Sequence, residues 1–185
     1  MTAAPAAKTS SRTHSRIFRF GRDRSGATAV EFAMIAAPFF LLLFAMIEIA
    51  AVFFTGTVLE NAVLEAARKI RTGEAQTGGM TQAGFRQEVC DLIAAVADCD
   101  NLEIDVQVFE DFDTVDQTSP IQGDGSVNTD GFGWAPGDAG DIVLIRVFYR
   151  WSLMTPNFGG ALSNMENNQR LITAATVFRN EPFDD

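Results

Sequence analysis

The chain has one histidine, His14, and two cysteines, Cys90 and Cys99. With no histidine beyond position 14, no Ser-His or Cys-His nucleophile pair can form in the body of the protein. Two cysteines without a histidine cannot furnish a zinc site. Glycines are plentiful, yet none sits in a phosphate-binding loop that follows a strand and opens a helix. Carboxylates abound, but nothing singles out a pair for acid–base work in a cleft. Basic charge is scarce after residue 26: residues 27–185 hold 8 Arg or Lys against 23 Asp or Glu, a net −15. Such a body repels phosphates, which argues against nucleic acid as a partner. These absences predict a protein that is not an enzyme and holds no cofactor and no metal.

What is present is unevenly placed. Residues 1–26 carry six basic side chains and one acid, a net +5, so the whole chain at −10 is split sharply near its start. An apolar run follows. Phe32–Ile47 is 16 residues without a charge, Glu48 interrupts, and Ile49–Phe54 continues. About 20 apolar residues cross a bilayer core. A cleavable secretory signal has a shorter core of about 7–15 residues and ends in a small-residue site. The run therefore predicts a retained transmembrane helix, its basic flank in the cytoplasm and the rest outside. Pro38 lies within it and is tolerated there as a kink. Glu48 either hydrogen-bonds across to a partner helix or sits wet among the outer headgroups.

The helical pattern does not stop at Phe54. Leu59, Ala62, Val63, Ala66, Ala67 and Ile70 recur at three- and four-residue spacing. Glu65 and Lys69 are placed as an i,i+4 ion pair, and Gly73 is an end signal. An unbroken helix from Thr28 to Thr72 would be about 68 Å long at 1.5 Å per residue. After a turn over residues 74–79, Thr81 is placed to cap a second helix over 82–97, with Phe85, Val89, Leu92, Ile93 and Val96 on its inner face. Cys90 and Cys99 read as a disulfide in an oxidising compartment, the alternative being two buried thiols.

Three strands follow. Leu102 to Val108 alternates apolar and polar. Val143, Ile145, Val147, Tyr149 and Trp151 make one apolar face of a second strand, whose Arg146 and Arg150 are placed to pair with Asp105 and Glu103. Residues 170–179 form the third, and the tail from Glu181 frays. Between the first two strands, residues 110–140 form a long loop with seven acids. Asp124, Ser126, Asn128 and Asp130 alternate like calcium ligands, but neither possible start puts the glycine and the glutamate where an EF-hand loop needs both. A solvated loop is the expectation. The fold class is α+β and pilin-like: a long N-terminal transmembrane and trunk helix, a second helix, and a small antiparallel sheet of about three strands covering the trunk stripe. The divisions are 1–26 leader, 27–72 helix and 73–185 head.

Gly26-Ala27-Thr28-Ala29-Val30-Glu31-Phe32 opens the long helix. A cut after Gly26 would leave a new amine on Ala27, and near a membrane that charge wants an anion. Glu31 is too close to its own terminus to serve it well. The amine of a neighbouring subunit is the better partner, which makes Glu31, beside Phe32, a subunit-registration device. The alternative is a helix-start acid that complements the dipole.

This run through Ala33, with Pro38, Ile47-Glu48 and Ala66-Ala67-Arg68, resembles the TadE-like pseudopilins of tight-adherence (Flp/Tad) pilus systems. Pro136-Gly137-Asp138, Phe148-Tyr149-Arg150-Trp151, Pro156 and the Cys90/Cys99 pair are also similar, over about residues 22–179. Ile49-Ala50 departs from the more usual aromatic-glycine there. The resemblance implies cleavage between Gly26 and Ala27 by a prepilin peptidase. It implies a minor pilin-like component that helps assemble or prime the pilus, held in a Gram-negative inner membrane with its head in the periplasm. The implied partners are that peptidase, other pilins and pseudopilins of the machinery, and membrane lipid. The competing reading is a signal-anchored periplasmic binding or sensing module. It has no use for Gly26 and Glu31 at this spacing.

Overall fold

A computed structural model describes residues 26–116, 118–155 and 162–183. Residues 1–25 of the leader assigned to 1–26, Pro156 and the five residues after it lie outside the described residues. Helix α1, Ala27–Arg71, is 45 residues long and contains Pro38 without interruption. By compactness the chain divides at residues 43 and 44, inside α1.

In the first unit the described residues of α1 are apolar apart from Thr28 and Glu31 and almost all exposed, with Phe32, Met34 and Leu42 among them. The helix has an apolar stretch long enough to cross a membrane, with a mean hydropathy of 2.4 over its best window. A helix that is apolar on every side is suited to lipid rather than to water.

The second unit begins within α1 and holds the head. Short helix α2 (Glu74–Thr77) and helix α3 (Gln82–Ile93) precede strands β1 (Leu102–Phe109), β2 (Ile142–Ser152) and β3 (Gln169–Arg179). The three form one antiparallel sheet in the order β1-β2-β3, with Ile104 opposite Val147 and Val147 opposite Ala174. The trunk stripe of α1 (Leu59, Val63, Ala66, Ile70) meets Phe85, Val89 and Ile93 of α3 and Val106, Val143, Ile145 and Val147 of the sheet in one core. Ala62, Ala66 and Ala67 of α1 and branched residues of β1 and β2 are buried in that core.

Helix ends follow their expected signals. The Thr81 side chain accepts from Gly84 N and caps α3. After α1, Gly73 takes a left-handed φ of 79°. The ring of Phe183 fills the place where a Cβ at Gly73 would stand.

Several expectations are corrected. α3 ends at Ile93, not 97, because residues 94–97 turn toward the Cys90–Cys99 disulfide. The stretch after Gly73 contains the single helical turn α2. Leu92 lies on the outer side of α3, not the inner. Lys69 pairs with Glu88 of α3 at 2.6 Å rather than with Glu65, because that contact joins two packed helices. The tail does not fray at Glu181. Its N–H donates to Arg71 O, its carboxylate lies 3.3 Å from Arg71, and Phe183 seats on Gly73.

Candidate functional site

The Gly26–Phe32 stretch stands at the start of α1. A Cβ built on Gly26 would meet nothing within 4 Å among the described residues. Packing among the described residues does not call for glycine there. Glu31 is the fifth residue of α1, and the first turn holds no acid. The helix dipole acts within that first turn, so complementing it explains Glu31 poorly. The Glu31 and Phe32 side chains are both exposed.

Glu48 meets neither fate expected of it. It is 1% exposed, and its partners come from its own chain. The Met154 N–H donates to Oε1, and the Thr155 N–H and hydroxyl donate to Oε2, the amide at 3.2 Å. An acid at the centre of a membrane helix costs about 2.5–3.5 kcal/mol on insertion scales. A hydrogen bond to a charged group contributes about 1.5–3 kcal/mol. Three donors on one carboxyl are therefore of the size needed to offset its place in an apolar helix. Sequence alone gave no sign that the segment after β2 returns to α1.

The head has two polar anchors. Asp105 of β1 is fully buried and takes Arg146 Nη2 at 2.6 Å and Nε at 3.0 Å, as the spacing predicts. Its other oxygen accepts from Gly133 N and Gln107 Nε2, both at 3.0 Å. Arg146 also donates to Thr118 O at 3.2 Å and lies over the Phe148 ring. Arg150 pairs with Glu103 at 3.1 Å, half-exposed.

These contacts fold part of the acidic loop back onto the sheet, while its seven acids stay exposed, as a solvated loop requires. Phe132 stacks on Phe148 at 5.1 Å, on the face of β2 away from the main core. Val106 N donates to Gly133 O and Ala135 N to Val106 O, so residues 133–135 cover the outer edge of β1. Trp134 packs on Phe85 and donates its indole N–H to Met80 O. The alternating Gly131-Phe132-Gly133-Trp134 was the available signal for this packing.

The oxygen ligands that alternate in the loop are spent on turns. Asp124 accepts from the amide and hydroxyl of Ser126, and Asn128 from the amide of Asp130. The Ser126 hydroxyl and amide hold the Asp124 carboxyl below the usual range, and those of Thr118 do the same for Asp116. Among the described residues no cluster of three His, Cys, Asp or Glu is placed to hold a metal.

Cys90 and Cys99 are joined in a disulfide, with Cα atoms 5.5 Å apart. Closing so short a loop stabilises by about 2–3 kcal/mol in the chain-entropy account. Arg86 fixes the same turn, donating to Cys99 O and Leu102 O. The Tyr149 hydroxyl accepts from Asp98 N.

Residues 26–68 match the family described as TadE-like protein. The match starts on Gly26 and ends near the close of α1, so the likeness read over residues 22–179 is supported in its helical part. No curated protein and no solved structure matches the chain.

Proposed function

We propose that this chain, a TadE-like protein over residues 26–68, is a minor pseudopilin that helps assemble or prime the Tad pilus and does no chemistry of its own. The likeness supports a Tad pilus-associated protein that acts with other components of that system. Its N-terminal apolar helix fits a membrane anchor. The finer reading rests on one observation. The family match begins at Gly26, where packing among the described residues does not call for glycine. A glycine at that place with no packing role supports recognition by an enzyme, here a prepilin peptidase cutting between Gly26 and Ala27 on the cytoplasmic side. The +5 leader stays in the cytoplasm, and the acidic, disulfide-bonded head faces the oxidising periplasm.

The test is co-expression with the cognate prepilin peptidase, followed by N-terminal sequencing of the membrane-bound product. The mature chain begins at Ala27, and Gly26→Val blocks the cut. A wild-type chain that keeps its leader sinks the proposal and leaves an ordinary signal anchor.

A further inference from the structure

A hydrocarbon core about 30 Å thick takes about 20 residues of helix at 1.5 Å each. The charge-free run Phe32–Ile47 has 16 residues and reaches only about 24 Å. A core of ordinary thickness must therefore take in Glu31 at one end or Glu48 at the other. The fold prepares only one of them. Glu31 is exposed, whereas Glu48 is buried under three donors from Met154 and Thr155.

Past Glu48 the outer side of α1 remains apolar. Phe53 is 73% and Phe54 60% exposed, the latter about 9 Å further along the helix. Met154 gives its N–H to Glu48 and leaves its side chain 71% exposed. Between residues 46 and 54, the exposed side chains (Met46, Ile47, Ile49, Ala50, Phe53 and Phe54) cover an arc of about 160° at 100° per residue. Helices that pair in membranes meet along a narrow seam of small residues. This arc is broad, and only Ala50 in it is small, so it suits fluid acyl chains better than a partner helix.

Resting on the reading of α1 as a membrane span, we propose that outer-leaflet hydrocarbon extends past Glu48 to Phe53 and Phe54, and that the segment just after β2, Leu153–Thr155, is seated in it. The donors of that segment let an acid lie below the bilayer surface. In return, Glu48 holds the head's β2 end down on the membrane. The partner of this surface is phospholipid.

The test uses the full-length protein in vesicles of phosphatidylethanolamine and phosphatidylglycerol. A benzophenone amino acid replaces Leu42, Met154 or Phe112 singly, and phospholipid adducts are read by mass after illumination. All three side chains are more than half exposed, and Phe112 follows the end of β1 that pairs with the start of β2, the far end of the sheet from Met154. Lipid adducts are expected at 42 and 154 in comparable yield, and none at 112. Adducts at 42 with a yield at 154 as low as at 112, or capture of a second protein chain at 154, overturns the proposal and leaves the membrane span intact. No lipid adduct at 42 overturns both. In the Glu48→Gln background, which keeps side-chain shape but only one acceptor oxygen, the yield at 154 should fall several-fold while that at 42 holds. An unchanged yield at 154 would overturn the holding role of Glu48.

Discussion

Two ion pairs that look alike in sequence differ in what surrounds them. Asp105 and Glu103 each face an arginine of β2, but Asp105 is fully buried and Glu103 is half-exposed. Removing one partner of a buried pair leaves an uncompensated charge and costs about 3–5 kcal/mol, whereas an exposed pair contributes about 0–1 kcal/mol. Asp105→Ala should therefore speed hydrogen exchange at the β2 amides of the detergent-solubilised chain by a hundredfold or more on that estimate, and Glu103→Ala by less than about tenfold. Equal effects would mean that burial does not set the difference. Gly73 is the second sensitive residue. Its φ of 79° is one that L side chains rarely adopt, and the Phe183 ring occupies the Cβ position. Gly73→Ala should destabilise the end of α1 by at least about 1 kcal/mol, seen as faster exchange at Thr72 and Gly73. Pairing it with Phe183→Ala should recover only the steric part.

At the level of elements, the acidic loop supports the sheet rather than hanging from it, and its turns are sensitive to pH. Asp124 and Asp116 titrate below the ordinary 3.8 because Ser126 and Thr118 donate to the charged form. A depressed folded pKa gives stability that is complete above the unfolded value and is lost as pH falls through the folded one. The Ser126 and Thr118 amide resonances should hold steady from neutral pH down to about 4 and move only below it. Movement centred at or above the ordinary value would contradict the turn geometry. The regular elements were legible in the sequence because each buries one face and so imposes a period. The stripe of α1, the alternation of β1 and β2 and the Asp105–Arg146 register all follow from that. Apart from the short alternation Gly131-Phe132-Gly133-Trp134, the covering loop has no period. Its Gly133–Ala135 pairing with Val106 uses main-chain groups, which side-chain pattern does not report. Glu48 was hidden for the same reason, since two of its donors are backbone amides more than 100 residues away.

For the chain as a whole, charge and hydropathy divide the sequence: a basic first 26 residues, an apolar helix and an acidic remainder. Within that plan the two acids of the apolar region have different tasks. Glu48 is satisfied by its own head, so its removal should disturb the subunit itself. Among the described residues Glu31 has no such service. It lies past the first helical turn and is exposed, so its substitution should leave the folded head unchanged. If it receives the Ala27 amine of a neighbouring subunit, its loss matters only once subunits meet. Glu31→Gln should then be cut after Gly26 as efficiently as wild type, while pilus formation, measured as pilin in the sheared surface fraction, falls by at least about tenfold, a modest share of the cost of unpairing a buried charge. Glu31→Asp keeps the charge on a shorter arm and should restore part of the yield. N-terminal sequencing and the sheared fraction, taken from the same cells, separate the two steps. A variant that loses cleavage and assembly to the same degree would place Glu31 in peptidase recognition and remove it from subunit registration.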